Sequence, residues 1–138
     1  MIIEDIRKEG IKKIAERFNL GLIILFGSAV SEKLHEKSDI DIAVYLDGGK
    51  PSLKEYSELI EALSEIFPHR EIDLSFINHA DPLFLKKILD NCHLLYGPYD
   101  RFQQLKIYSF KRYQDHRRYF KMEEEFAERF INTVLSEK

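Results

Sequence analysis

The chain has 138 residues, 44% hydrophobic and 33% charged, with a formal net charge of −3. That is the size of one soluble domain with a single core. It lacks the Lys/Arg surplus on which broad nucleic-acid binding depends, so no direct nucleic-acid binding is expected. A single cysteine, Cys92, excludes an intramolecular disulfide and a multi-cysteine metal site. Its apolar neighbours predict an inert buried thiol. No stretch approaches the length of a membrane-spanning helix, and Met1-Ile2-Ile3-Glu4-Asp5 is not a secretory leader. A cytoplasmic protein without membrane contact is the expectation.

Along the chain, Ile2, Ile6, Ile11, Ile14 and Phe18 recur at helical spacing among charged residues, predicting an amphipathic helix over about 3–18. Gly21-Leu22-Ile23-Ile24-Leu25-Phe26 is a short continuous apolar run, expected to be a buried strand. Gly27 then allows a sharp turn or a close approach to a ligand. Ser28 offers a hydroxyl and a backbone N–H at the start of an expected short helix, a favourable place for a phosphate oxygen. After ten further residues comes Asp39-Ile40-Asp41, opening a second strand that continues Ile42-Ala43-Val44-Tyr45-Leu46. Alternation along a strand puts Asp39 and Asp41 on one face and Ile40, Ile42 and Val44 on the other. Two carboxylates on one face at the mouth of a sheet form a hard-oxygen site suited to Mg²⁺, which usually also uses substrate phosphates and water.

Asp47-Gly48-Gly49-Lys50-Pro51 is a turn, and Ser52 with Glu55 has the pattern of a capping box. The helix that follows is expected to bury Leu53, Tyr56, Leu59, Ile60, Leu63 and Phe67 and to stop at Pro68. Residues 70–77 alternate polar and apolar, as a half-buried strand does, with Ile72, Leu74 and Phe76 toward the core and Asp73 away from it. Beside the Asp41 strand, Asp73 would complete a three-carboxylate cluster able to bind metal and to accept a proton from an attacking hydroxyl. Asp81 is the expected cap and Pro82 the first residue of a helix running to about Asn91. A short strand over His93–Tyr96 ends at Gly97-Pro98. The resulting fold class is α/β (α+β): a small mixed sheet flanked by helices, its carboxylates gathered at one end.

The remaining residues, 99–138, form a second unit after the 1–98 domain. They contain no Gly or Pro and are rich in helix formers. Phe102, Leu105, Tyr108 or Ser109, and Tyr113 fall on one face, and Tyr119, Met122, Phe126, Phe130 and Val134 form a second stripe. A continuous helix here would span on the order of 55 Å at 1.5 Å per residue. Either a break near Asp115 or a projecting helix is therefore expected. A basic block of Lys111, Arg112, His116, Arg117, Arg118 and Lys121 precedes Glu123-Glu124-Glu125. This is either a solvated face or a docking surface for a partner protein, since Tyr, Phe and Arg are enriched in interface hot spots. His35 is expected to be a solvated loop residue, and His69, His79 and His93 have no zinc spacing.

A Gly-Ser pair alone is a common turn, and Asp-x-Asp alone is a common strand-edge feature. Their combination across ten residues, with a third strand carboxylate, is far more specific. Gly27-Ser28 and Asp39-x-Asp41 resemble the signature of the DNA polymerase beta-like nucleotidyltransferases. Glu71-Ile72-Asp73-Leu74, Phe84-Leu85-Lys86-Lys87-Ile88-Leu89 and Leu94-Leu95-Tyr96-Gly97 are similar to the minimal nucleotidyltransferase (MNT) proteins, including MntA-type antitoxins paired with HEPN toxins. The resemblance spans about residues 2–99 and implies the polymerase beta-like fold with a long C-terminal helical tail.

It further implies catalytic and metal-binding roles for Asp39, Asp41 and Asp73, and nucleotide binding by Gly27, Ser28 and Ser38. The implied cofactor is Mg²⁺ and the implied substrate ATP. The implied activity is transfer of AMP to a tyrosine hydroxyl of a cognate HEPN ribonuclease toxin, which is thereby neutralised. Many members carry an Arg and then a Gly soon after the Gly-Ser pair. Here Ala29-Val30-Ser31-Glu32-Lys33 has neither, leaving Lys33 or Lys37 as the nearest phosphate partners. Arg112 and His116 lie too close in sequence for the Arg-to-His pair of a HEPN ribonuclease. Nucleotide transfer to a small molecule or an RNA end, and neutralisation by masking without catalysis, remain the alternatives.

Overall fold

The computed structural model describes residues 2–27, 30 and 39–136. The chain runs α1 (Ile2–Phe18), β1 (Leu20–Phe26), β2 (Ile40–Leu46), α2 (Leu53–Ile66), β3 (Ile72–Phe76), a 3₁₀ turn (Ile77–His79), α3 (Pro82–Asp90), β4 (Cys92–Tyr96) and α4 (Tyr99–Ser136). The strands form one sheet in the order β3-β2-β1-β4. β1 is antiparallel to both β2 and β4, and β3 is parallel to β2. A parallel neighbour requires a crossover, and α2 supplies it.

Helices cover both faces of the sheet, which is why β1 is a near-continuous apolar run rather than an alternating one. On one face Ile11 and Ile14 of α1, Leu59 and Leu63 of α2, and Ile23, Ile42 and Val44 share a buried cluster. On the other face Leu22, Ile24, Phe26 and Ala43 pack against Leu85 and Ile88 of α3 and Phe102 of α4. Ile40, Ile42 and Val44 thus lie together on the face opposite the carboxylates, as alternation requires. Phe18, Ile72 and Phe76 pack against the first cluster at its margin. The side chains of Ile2 and Ile6 lie outside the described residues.

Local sequence explains the element ends. Asn19 takes the left-handed conformation (φ 56°) after α1, a conformation Asn tolerates. The Ser52 hydroxyl accepts from Glu55 N–H at 3.1 Å and donates to the Glu55 carboxylate at 3.3 Å, capping the start of α2. Asp81 accepts from Phe84 N–H at 2.8 Å, with Pro82 at the first helical position of α3.

Several expectations need correction. Leu53 is 82% exposed. As the first residue of α2 it lies beyond the reach of the core that Leu59 and Leu63 enter. β3 is shorter than 70–77, because Ile77 turns inward in the 3₁₀ segment. Cys92 is half-buried rather than buried, its thiol directed at the Leu89 carbonyl at 3.5 Å, and burial pushes its pKa up. The short helix expected after Ser28 lies outside the described residues, as do His35, Lys33 and Lys37.

The tail is one continuous helix without a break at Asp115. Its first turns belong to the core: Phe102 and Ser109 are buried and Leu105 half-buried, while Tyr108 faces out. Arg101 fastens its start, donating to the Asp47 carboxylate at 2.5 and 3.3 Å and lying over the Tyr45 ring at 4.6 Å. Beyond Tyr113, whose ring lies 4.8 Å from the Lys86 ammonium, α4 leaves the domain. Among the described residues no helix is long and apolar enough to cross a membrane.

Candidate active site

The carboxylates meet because of strand register. Antiparallel pairing sets Phe26 against Asp41, so Gly27 sits beside Asp41. Parallel pairing of β2 with β3 sets Asp41 directly against Asp73. Glycine at the end of β1, Asp41 on β2 and Asp73 on β3 therefore form a row across three neighbouring strands, with Asp39 just before β2. Asp39 and Asp73 are exposed and Asp41 half-buried.

Gly27 is required at its position for two reasons. Its φ is +77°, a conformation that side chains disfavour, and a Cβ there would lie 2.5 Å from an Asp41 carboxylate oxygen. Asn91 holds this turn from the neighbouring strand end. Its carbonyl accepts from Gly27 N–H, and its side-chain amide donates to the Gly27 carbonyl, both at 3.3 Å.

The Asp41 carboxyl is pushed above the ordinary carboxylate range, first by burial, then by the charge and hydrogen bond of Asp73, and then by the charge of Asp39. Lys87, on α3, pulls in the opposite direction. The excess negative charge is what a bound cation would relieve. Among the described residues no three His, Cys, Asp or Glu side chains close into a metal cage. Converging oxygen donors without a full cage fit Mg²⁺, which takes one or two carboxylates and completes its octahedron with substrate oxygens and water. They do not fit zinc, which prefers nitrogen and sulfur ligands.

Ser28 and Ser38 lie outside the described residues. Lys87 and Asn91 were not expected at the site. Both come from the α3–β4 segment, more than forty residues after Asp41 in sequence, and no local pattern marks them. The 380 Å³ cavity between the sheet and α4 is not this site. It opens at the other end of the same face, beside Tyr45, Asn78, Arg101 and Tyr108, and contains none of the three carboxylates.

The chain is similar to several known proteins. A Methanocaldococcus jannaschii protein named as a candidate protein adenylyltransferase is 40% identical over 65 residues, covering 46% of this chain and 65% of that relative. The chain thus matches just under two thirds of the relative's length. A chain in a toxin–antitoxin crystal structure with AMP-PNP superposes with a TM-score of 0.72 at 22% identity, covering 87% of this chain and 97% of that one. A chain in a structure of a tri-AMPylated Shewanella oneidensis HEPN toxin with its MNT antitoxin gives 0.68 at 20% identity, covering 90% and 98%. These two likenesses establish a shared fold. The family model described as polymerase beta nucleotidyltransferase matches residues 9–101, two thirds of the chain. With this match over more than half its length, the chain belongs to the polymerase beta nucleotidyltransferase family.

Proposed function

We propose that this protein is an antitoxin that transfers AMP from ATP to a tyrosine hydroxyl of a HEPN ribonuclease toxin and silences it, in the cytoplasm. The observation that carries the reading is the register-matched pair Asp41–Asp73 beside the bare backbone of Gly27. The names of the similar proteins supply the substrate class: one is an adenylyltransferase of proteins, and others are toxin–antitoxin complexes with an ATP analogue or an AMPylated HEPN toxin.

Asp39, Asp41 and Asp73 are the residues that would hold Mg²⁺, which when bound neutralises phosphate charge where it builds up in the reaction. Gly27 leaves its backbone open to the triphosphate, and Ser28 and Ser38 are assigned to hydrogen-bond its oxygens. Asp73, on the exposed edge strand, accepts the proton of the tyrosine hydroxyl. The phenolic oxygen forms a bond to the α-phosphorus. The bond from that phosphorus to the bridging oxygen breaks, and pyrophosphate leaves with the electron pair. Asp41, whose carboxyl is raised by burial and by its like-charged neighbours, regains its negative charge where a cation offsets that cost.

The test is an intact mass of both proteins after incubation of this chain with its genomic neighbour, ATP and Mg²⁺. A gain of one or more adenylate units on the neighbour, mapped to tyrosine, is the expected result. A stable complex without any gain would replace catalysis by masking. Neither gain nor complex would return the chain to a small-molecule or RNA-end transferase.

A further inference from the structure

The outer half of α4 stands clear of the buried clusters of the domain. Every described side chain from Arg117 to Leu135 is exposed. They include Tyr119, Met122, Phe126, Phe130 and Val134, which fall at helical spacing along one stripe and are 43–70% exposed. A stripe of this kind on a free helix marks an interaction surface.

Its charges state what fits. Residues 111–121 carry five cations (Lys111, Arg112, Arg117, Arg118, Lys121) against one carboxylate, Asp115. Residues 122–128 carry four glutamates and no cation. The helix is therefore a basic block followed by an acidic block. Its complement is an acidic block followed by a basic one, which is the same helix read in reverse.

The placement of individual charges agrees. Arg118 and Glu125 each immediately precede an apolar stripe residue, Tyr119 and Phe126, so both lie on the same flank of the stripe. In an antiparallel pair that sets Tyr119 of one copy against Met122 of the other, Arg118 falls opposite Glu125. Symmetry makes this contact twice. Flanking opposite charges of this kind set orientation and register in paired helices.

We propose that the occupant of this face is a second copy of the chain, joined tail to tail in an antiparallel helix pair with twofold symmetry. The pairing does not rest on the catalytic reading, and Asp41→Asn leaves the assembly unchanged.

The test is sedimentation velocity of the full chain from about 1 to about 100 µM, a range in which mass action reveals association. Wild type is expected at twice the 16.4 kDa of one chain at the upper end. Arg117→Glu/Arg118→Glu sets carboxylates against the glutamate block of the other copy, and Glu124→Lys/Glu125→Lys sets cations against its basic block. Each variant alone is expected as a monomer, because like charges then face each other. An equimolar mixture is expected to return to the dimer mass. Because all four positions are exposed, circular dichroism matching wild type is expected for each variant. Wild type at monomer mass throughout, variants that dimerise as wild type does, or a mixture that stays monomeric would each overturn the proposal. So would a wild-type monomer whose Phe126 becomes protected only when the acceptor protein is added, which would give this face to the acceptor.

Discussion

Gly27 and Asp41 constrain each other. The turn needs a positive φ, and the space that a Cβ would occupy is taken by the Asp41 carboxylate. Gly27→Ala is expected to cost about 1–2 kcal/mol in backbone strain and to displace that carboxylate. Because misplacing a reacting group by about 1 Å can cost about a hundredfold in rate, transfer should fall by that order while the protein remains folded. Single-turnover AMP transfer checks this. Asp41 also carries a stability prediction. Its pKa is raised above the ordinary 3.8, so the folded state favours its neutral form. The stability this contributes is full below the ordinary value and is lost as pH rises through the raised one. Asp41→Asn, neutral at every pH, should therefore melt a few degrees higher than wild type at neutral pH without metal. The gap should close as pH falls below the usual carboxylate range. Scanning fluorimetry across pH reads both.

At the scale of elements, α2 does two things for the site. As the crossover it makes β3 parallel to β2, which brings Asp73 level with Asp41. Its inner face also holds the sheet through Leu59 and Leu63. Leu63 is fully buried, so Leu63→Ala is expected to cost about 2–5 kcal/mol. Leu53→Ala, in the same helix at an exposed position, should stay within about 0.5 kcal/mol. Urea unfolding of the pair separates the face that packs from the face that does not. The helical period in 53–67 is legible in the sequence. The exposure of its first apolar residue is not, because Leu53 lies at the helix start, six residues before the first buried one, Leu59.

For the whole molecule, substrate and stability are linked. A ligand that binds only the folded state at a hundred times its Kd adds about 2.7 kcal/mol. ATP with Mg²⁺ should therefore raise the melting temperature, and EDTA should remove most of that gain. The Asp39→Asn/Asp41→Asn variant should show no response to Mg²⁺ and should abolish transfer. An unchanged response in that variant would place the nucleotide elsewhere in the chain.

The sequence by itself determined the strand and helix periods, the caps at Ser52 and Asp81, and which residue types, a Gly-Ser pair and three aspartates, were on offer for a site. Each depends on residues near one another in the chain, where period and side-chain type are sufficient. It left open whether β3 lies beside β2, and with it whether Asp73 joins the site. Pairing register is a contact between distant segments that only the packed sheet selects. For the same reason Lys87 and Asn91 were invisible: nothing local distinguishes a helix lysine that faces Asp41 from one that faces water. The tail's apolar stripe was legible, but its exposure was not. Burial depends on where the domain ends around a helix, and tertiary packing alone decides that α4 runs on past Tyr113 with its stripe uncovered.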